Sequence, residues 1–462
     1  MTNKNPPGPV KLGERYRNFK MFRQDLLGYL TQLRNDYGDV VRFGFGPFTM
    51  YFVARPDFLR EIFVEHASKF YKTRLTKRIL SPSLGNGLLI SDGDYWKKQR
   101  RLMQPAFHHK RIESYANVMV NYTQNTLRDW RDGQARAIDD DMMALTLAIV
   151  SKCLFDTDVT NEESDELREA IGYGIRATNE EFNSLFIPPA WLPTERNRKG
   201  KETIATVHRV LDRFIREHRA SGEDRGDLLS MMMLATDEDG KSRMSDKEVR
   251  DESFTLISAG HETTAVALGW AWYLLSQHPN VEKKLHDELD RVLGGRTPTM
   301  ADLQNLTYVD WVVNETMRLY PPAYITSREA LQDIEVGGYV IAKGNDILLS
   351  PYIVHHDARF FSQPESFIPE RWQGDFEKSL PKCAYMPFGA GPRVCIGNMF
   401  AAMEVKLILA TVAQHYRLEL APGAKVEKEP LITLRPKYGM PMIARARKKT
   451  ESKRISFEAQ VA

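Results

Sequence analysis

Phe388-Gly389-Ala390-Gly391-Pro392-Arg393-Val394-Cys395-Ile396-Gly397 is the stretch of this 462-residue chain whose reading decides the fold. Glycines at 389, 391 and 397 with a proline at 392 make a tight loop whose backbone can approach a flat partner closely. Arg393 stands two residues before Cys395. The helix expected to begin just after Cys395 aims the positive end of its dipole back at the sulfur. Both effects favour a thiolate. No other Cys or His lies near enough in sequence to complete the four-ligand set that zinc requires, whereas a lone thiolate suits the axial position of a haem iron. Cys153 and Cys383 read as structural thiols, and three cysteines make no disulfide framework.

Working outward from the loop, a helical run covers residues 399–415, and a long Pro-rich stretch of little periodicity precedes it over residues 353–394. A stretch of that length without regular structure points to function. One helix can be defined sharply. Ser245 and Glu248 form a capping box, Met244 and Val249 a hydrophobic staple, and Pro279 closes the run. That gives about 33 residues, or roughly 50 Å, long enough to cross the molecular interior. Its middle reads Ala259-Gly260-His261-Glu262-Thr263-Thr264. Glycine and a polar cluster placed where apolar residues would pack better mark a site. Elsewhere, a helix is expected over residues 22–35 and strands over Val40–Phe45 and 49–53, turned at Gly46-Pro47. Residues 56–330 read as mostly helical. Alternation returns over 334–349, where Lys343-Gly344-Asn345-Asp346 reads as a hairpin turn. A length prior of roughly 150 residues per domain suggests about three domains. No linker or repeat supports that count, so one domain over residues 1–446 is expected, followed by a disordered polar tail over 447–462. Net charge is only +3, which gives no overall pull toward nucleic acid. The longest apolar run, 265–275, falls short of the about 20 residues that span a bilayer, and the first residues carry no signal core. A cytoplasmic, monomeric protein without a membrane anchor is expected.

The loop resembles the haem-binding loop of the cytochrome P450 family, Phe-x-x-Gly-x-Arg-x-Cys-x-Gly, at every defined position, and Phe400-Ala401-x-x-Glu404 is that family's usual continuation. Three further motifs are similar to the family's and occur in its order. Glu315-Thr316-Met317-Arg318 resembles its Glu-x-x-Arg. Arg371 in Phe367-Ile368-Pro369-Glu370-Arg371-Trp372 would complete a buried Glu–Arg–Arg network holding the loop, with Trp372 a conservative change from Phe. Residues 259–264 resemble the oxygen-activation segment: Gly260 would leave room for the ligand, Thr263 donate to bound oxygen, and Glu262 feed protons inward. His261 occupies a variable position and reads as a packed residue. Thr264 reads as a helix-backbone bonder. Trp96-Lys97-Lys98-Gln99-Arg100 resembles Trp-x-x-x-Arg, whose members bond a haem propionate. Arg328 and Arg393 are the other propionate candidates. The segment Asp92-Gly93-Asp94-Tyr95 lacks the His or Arg that some members add there.

The resemblance covers residues 7–446 and implies a mainly α fold with small β-sheets. The long central helix would cross a haem b whose iron is held by Cys395 from the opposite face, with Phe388 and Gly389 against the cofactor. The implied reaction inserts one oxygen atom from O2 into a hydrophobic substrate such as a fatty acid, terpenoid or steroid. Electrons would come from a separate ferredoxin or flavodoxin with an NAD(P)H-dependent reductase, docked in part on Lys97, Lys98 and Arg101. Segments 75–89, 182–187, 256–264 and 323–326 are expected to line the pocket, with Arg74, Arg78 and Tyr324 as polar handles. Two other readings stay open: a peroxide-using or rearranging haem-thiolate enzyme, and a haem-based gas sensor or carrier.

Overall fold

The computed structural model describes residues 5–45, 48–184, 188–189, 191–234 and 243–447. The Gly46-Pro47 turn, residues 185–187 of one expected pocket segment, and the tail from 448 onward lie outside the described residues.

The helix singled out by its capping box runs from Asp246 to Gln277. Ser245 Oγ accepts from the Glu248 amide, while Glu248 accepts from the Ser245 amide at 2.8 Å. Its flank packs most extensively against the helix Ile138–Phe155. That pairing is apolar along almost its whole length and forms the centre of the main core with Asn398–His415, Thr307–Leu319 and Glu195–Ser221. A helix that is hydrophobic all round must be enclosed on all sides. The buried stretch Ala265–Leu275 meets that condition here, not in a bilayer. No described helix is long and apolar enough to cross a membrane.

A five-stranded sheet lies to one side. Its order is Val40–Phe45, Phe48–Val53, Asp346–Leu349, Thr326–Ala330, Phe70–Tyr71, and only the pair Phe48–Val53 with Asp346–Leu349 is parallel. This corrects the expected hairpin at Lys343–Asp346. The hairpin joins Ile334–Val336 to Tyr339–Ile341, and its turn is Gly337-Gly338. Both glycines have positive φ (58° and 79°), the conformation a tight two-residue turn requires. Asp346–Leu349 instead leaves that hairpin and inserts between Phe48–Val53 and Thr326–Ala330. The N-terminal helical region is two helices, Leu12–Gln24 and Leu26–Tyr37, because Asp25 breaks the run and caps the second by accepting from the Gly28 amide at 3.0 Å.

The Pro-rich stretch has more order than its periodicity suggests. The helix Pro351–His355 and the single turn Pro369–Trp372 are pinned by side chains to the helix Thr307–Leu319, and the short helix Phe376–Ser379 packs on that turn through Phe376 against Trp372. Glu315 and Arg318 have no exposed surface. Arg318 donates to both Glu315 oxygens at 2.9 Å, and Arg371 Nε donates at 3.0 and 3.2 Å. The Trp372 indole N–H donates to the same carboxylate at 2.9 Å, and the Ile368 amide at 3.0 Å. Trp372 is therefore more than a conservative replacement: its N–H adds a donor that Phe lacks.

Candidate haem site

Cys395 sits between the single turn Gly391–Arg393 and the helix Asn398–His415. Its amide donates to the Phe388 carbonyl at 2.9 Å, closing the loop on itself, and the Val394 amide donates to Gly391 at 3.0 Å. Gly391 (φ +68°) seats the loop against the segment Glu61–Glu65. A Cβ there would lie 1.9 Å from the Phe63 carbonyl oxygen, so only glycine fits. At Gly389 (φ +74°) a Cβ would meet nothing within 4 Å; that side of the loop faces open space.

Cys395 is exposed although protein surrounds it on most sides, as expected of a side chain facing an internal space. The enclosure pushes its thiol up. The Gly397 amide and the Arg100 guanidinium pull it down without prevailing. The backbone at the start of the following helix thus acts in the expected direction, whereas the cation that acts on the sulfur is Arg100 and not Arg393. Arg100 is the nearby cation, while Arg393 is paired with Asp92 and lies 4.0 Å over the Trp96 ring. A metal cation held by this sulfur would supply the missing stabilisation of its anion.

Two groups of the expected propionate binders separate. Arg100 donates to the Val394 carbonyl at 2.7 Å and stands beside Cys395. With Trp96 it lines an open groove of about 1000 Å³, along with Lys97, Arg101, Arg111 and Met399. Arg328 and Arg393 come together on a small void walled by Phe63 and Phe70. Lys72, which sequence reasoning missed, joins them there, as does Asp92. Asp92 accepts from the Lys72 amide at 3.0 Å and pairs with Lys77 at 2.8 Å. Burial, reinforced by Arg393, pushes Arg328 down to about 10, and burial with Arg328 and Arg393 pushes Lys72 well down. Three crowded cations facing one carboxylate are short of negative charge, and the two carboxylates on a haem edge are what such a cluster fits.

On the central helix, Ala259 is exposed and Gly260 and Thr263 are half-exposed between fully buried turns. This opening falls mid-helix, where apolar packing is continuous on either side. Thr263 Oγ1 donates to the Ala259 carbonyl at 2.8 Å. Thr263 bonds the helix backbone, the role expected of Thr264, while the Thr264 hydroxyl is buried beside Glu404. The Glu404 carboxyl is fully buried; burial pushes it well up, and Thr264 is the group opposing the rise. A Cβ on Gly260 would lie 2.9 Å from Val150 Cγ2, so its smallness also serves helix packing. Glu262 points elsewhere: it is buried, accepts from Thr433, and is paired with Arg435 at 2.8 Å. Thr433 and Arg435 lie far along the chain, and no sequence spacing flagged them. His261 is packed as expected, its Nδ1 3.0 Å from the Ile257 carbonyl, and burial lowers its pKa.

Two of the three expected polar handles are engaged within the protein. Tyr324 is buried and donates to the Leu431 carbonyl at 2.6 Å. Arg74 is 88% exposed and paired with Glu329 at 3.0 Å.

The family model for cytochrome P450 matches residues 6–441. The chain belongs to the cytochrome P450 family. Cyclooctatin synthase from Streptomyces melanosporofaciens is 36% identical over 400 residues, which is 86% of this chain and 87% of the relative. Cyclooctat-9-en-7-ol 5-monooxygenase from the same organism is 36% identical, covering 84% of each chain. Pentalenene oxygenase from Streptomyces avermitilis is 32% identical over 86% of this chain and 88% of its own. As a P450 the chain is a haem-iron monooxygenase that inserts oxygen from O2 into a hydrophobic substrate and draws electrons from redox partners.

Proposed function

We propose that this P450 is a terpenoid monooxygenase. Its three terpenoid-oxidising relatives over more than four-fifths of the chain carry this reading, and the apolar neighbourhood of the central helix is consistent with it. In this reading residues 1–446 form one monomeric catalytic domain in the cytoplasm, loaded with haem b. Cys395 holds the iron, Phe388 and Gly389 flank the ring, and Lys72, Arg328 and Arg393 take the propionates, with Trp96 and Arg100 at the ring edge next to the sulfur. When bound, a thiolate-ligated haem supplies two-electron activation of dioxygen.

Thr263 is the polar side chain at the opening of the central helix. Its hydroxyl rests on the Ala259 carbonyl and can rotate to hold or pass a proton there. Glu262 reaches that face only by leaving Arg435 and Thr433, so its proton-feeding role requires a side-chain rotation. The groove with Lys97, Arg101 and Arg111 fits an acidic carrier such as a ferredoxin. A small acidic protein docked there would approach Cys395 from the loop side.

The test supplies reduced ferredoxin, O2 and a panel of cyclic terpene hydrocarbons and alcohols. An oxygenated terpene is the expected product. Turnover with peroxide alone and none with O2 would overturn the monooxygenase reading, and oxidation confined to fatty acids would overturn the substrate class. In the Thr263→Ala variant, O2 consumption should persist while product per O2 falls, because the group that passes the proton is lost. Undiminished product yield would remove Thr263 from the relay.

A further inference from the structure

Single exposed apolar side chains are ordinary on a soluble protein; a cluster of them is not. Among the described residues, three of the four most exposed large apolar side chains are Leu12 (86%), Tyr16 (75%) and Phe48 (63%). Arg15 brings them together. It follows Leu12 by one helical turn, precedes Tyr16, and donates to the Phe48 carbonyl at 2.8 Å and to Thr49 Oγ1 at 3.1 Å. Its stem occupies the space that a Cβ on Gly44 would need. The helix Leu12–Gln24 is thereby laid along the hairpin of Val40–Phe45 and Phe48–Val53, with Leu12, Tyr16 and Phe48 left outward.

At about 100° per residue, the stripe through Leu12 and Tyr16 continues to Lys20 and Arg23. Both are exposed, as is Arg17 beside them. The opposite face of the same helix is tied down: Asn18 is fully buried and donates to the Pro9 and Gly44 carbonyls at 2.8 and 3.0 Å. The helix carries Arg15, Arg17, Lys20 and Arg23 against the single acid Glu14. An outward face with leucine, tyrosine and phenylalanine at one end and lysine and arginine at the other has the composition of a helix that lies in a membrane interface. There, apolar groups enter the acyl boundary and cations meet anionic headgroups. A protein partner would be expected to leave a flatter apolar patch with a mixed-charge rim. This face is instead predominantly basic along its apolar stripe, with Glu14 the one acid on the helix.

We propose that the outer face of the helix Leu12–Gln24, together with Phe48, docks this enzyme peripherally on an anionic lipid bilayer. The inference does not depend on the substrate class proposed above. The full-length holoprotein is sedimented with vesicles of phosphatidylcholine alone and of equimolar phosphatidylcholine and phosphatidylglycerol. The expected result is binding to the phosphatidylglycerol vesicles that weakens by at least about tenfold in about 0.5 M salt, with little binding to phosphatidylcholine alone. Lys20→Glu/Arg23→Glu and Leu12→Ser/Tyr16→Ser should each weaken it by a similar factor while the haem absorbance spectrum stays unchanged, because these side chains are exposed. Absence of sedimentation with either vesicle, or binding that both variants leave intact, would overturn the proposal. So would a concentration-dependent dimer that Leu12→Ser/Tyr16→Ser abolishes without any vesicle binding, since that would assign the face to a second copy of the chain.

Discussion

Gly391 shows how far a single atom controls the site. Its positive φ and the 1.9 Å approach of a hypothetical Cβ to the Phe63 carbonyl leave no room for alanine without moving the backbone of one partner. Gly391→Ala should cost more than about 2 kcal/mol, the range in which strained-backbone substitutions fall. It should lower the thermal midpoint and the haem content of the purified protein together. Wild-type values for both would mean that the loop does not need this seat. Gly260 carries the opposite lesson. Its place in the oxygen-activation segment was legible, but its close packing on Val150 was not, because that neighbour lies on another helix. The same holds for Glu262. The sequence showed an acid beside Thr263 and nothing of Arg435, which engages that acid from beyond the haem loop. Motif spacing locates residues on a helix; it does not say which tertiary partner claims them.

At the scale of elements, two clamps position the walls of the site. The first is the Glu315 network. Four donors converge on this fully buried carboxylate: Arg318, Arg371, Trp372 and the Ile368 amide. Arg318 also donates to the carbonyls of His355, Pro364 and Ser366, and the His355 ring accepts from the Met386 amide at 3.0 Å, two residues before Phe388. Burial holds His355 down to about 3, so it stays neutral and able to accept. Glu315→Gln would leave two buried arginines without a counter-charge and should destabilise by about 3–5 kcal/mol, whereas Trp372→Phe removes one donor to a charged acceptor and should cost about 1–2 kcal/mol. Equal effects from the two substitutions would show that the charge is not what matters.

The second clamp joins the first turns of the central helix to residues 85–88. Asp251 accepts from the Asn86 amide at 3.1 Å and Glu252 from the Leu88 amide at 2.8 Å. Burial lifts Glu252 from 4.5 to about 8, with Asp251 and Glu248 adding to the rise and the Leu88 amide opposing it. A raised carboxyl binds its proton more tightly in the folded state. Its stabilisation is therefore complete below the unfolded value and is lost as pH rises toward about 8. Unfolding free energy should fall across that window by up to about 1.4 kcal/mol per pH unit from this group. Glu252→Gln should flatten the fall; an unchanged slope would contradict the assignment. Neither clamp was fully visible in advance. The Glu315–Arg318 pair was legible because its spacing is local, and Arg371 because its segment resembles a family motif; Trp372 Nε1 and the loop-holding carboxylates act across long sequence separations that neither signal covers.

Over the whole molecule, the mainly helical plan, the central helix and the loop at Cys395 were all legible, because capping, periodicity and a dense motif are properties of short segments. The sheet was legible only as strands. Its pairing joins residues near 50 to residues near 348 through a parallel register that no turn encodes, which is why the Lys343–Asp346 hairpin was misplaced. The cation cluster of Lys72, Arg328 and Arg393 likewise draws from three distant segments, and Asp92 among them stood out only as a missing His or Arg. What this architecture offers is a loop that presents one sulfur and a central helix opened at Ala259 and Thr263. The most direct test of that account is the difference spectrum of the reduced protein with and without carbon monoxide, for the wild type and for Cys395→Ser. The wild type should show the strongly red-shifted band of a thiolate-ligated haem, and Cys395→Ser should lack it. A wild-type spectrum of the ordinary, unshifted type, or a red-shifted band that survives in Cys395→Ser, would contradict the assignment of Cys395 as the iron ligand.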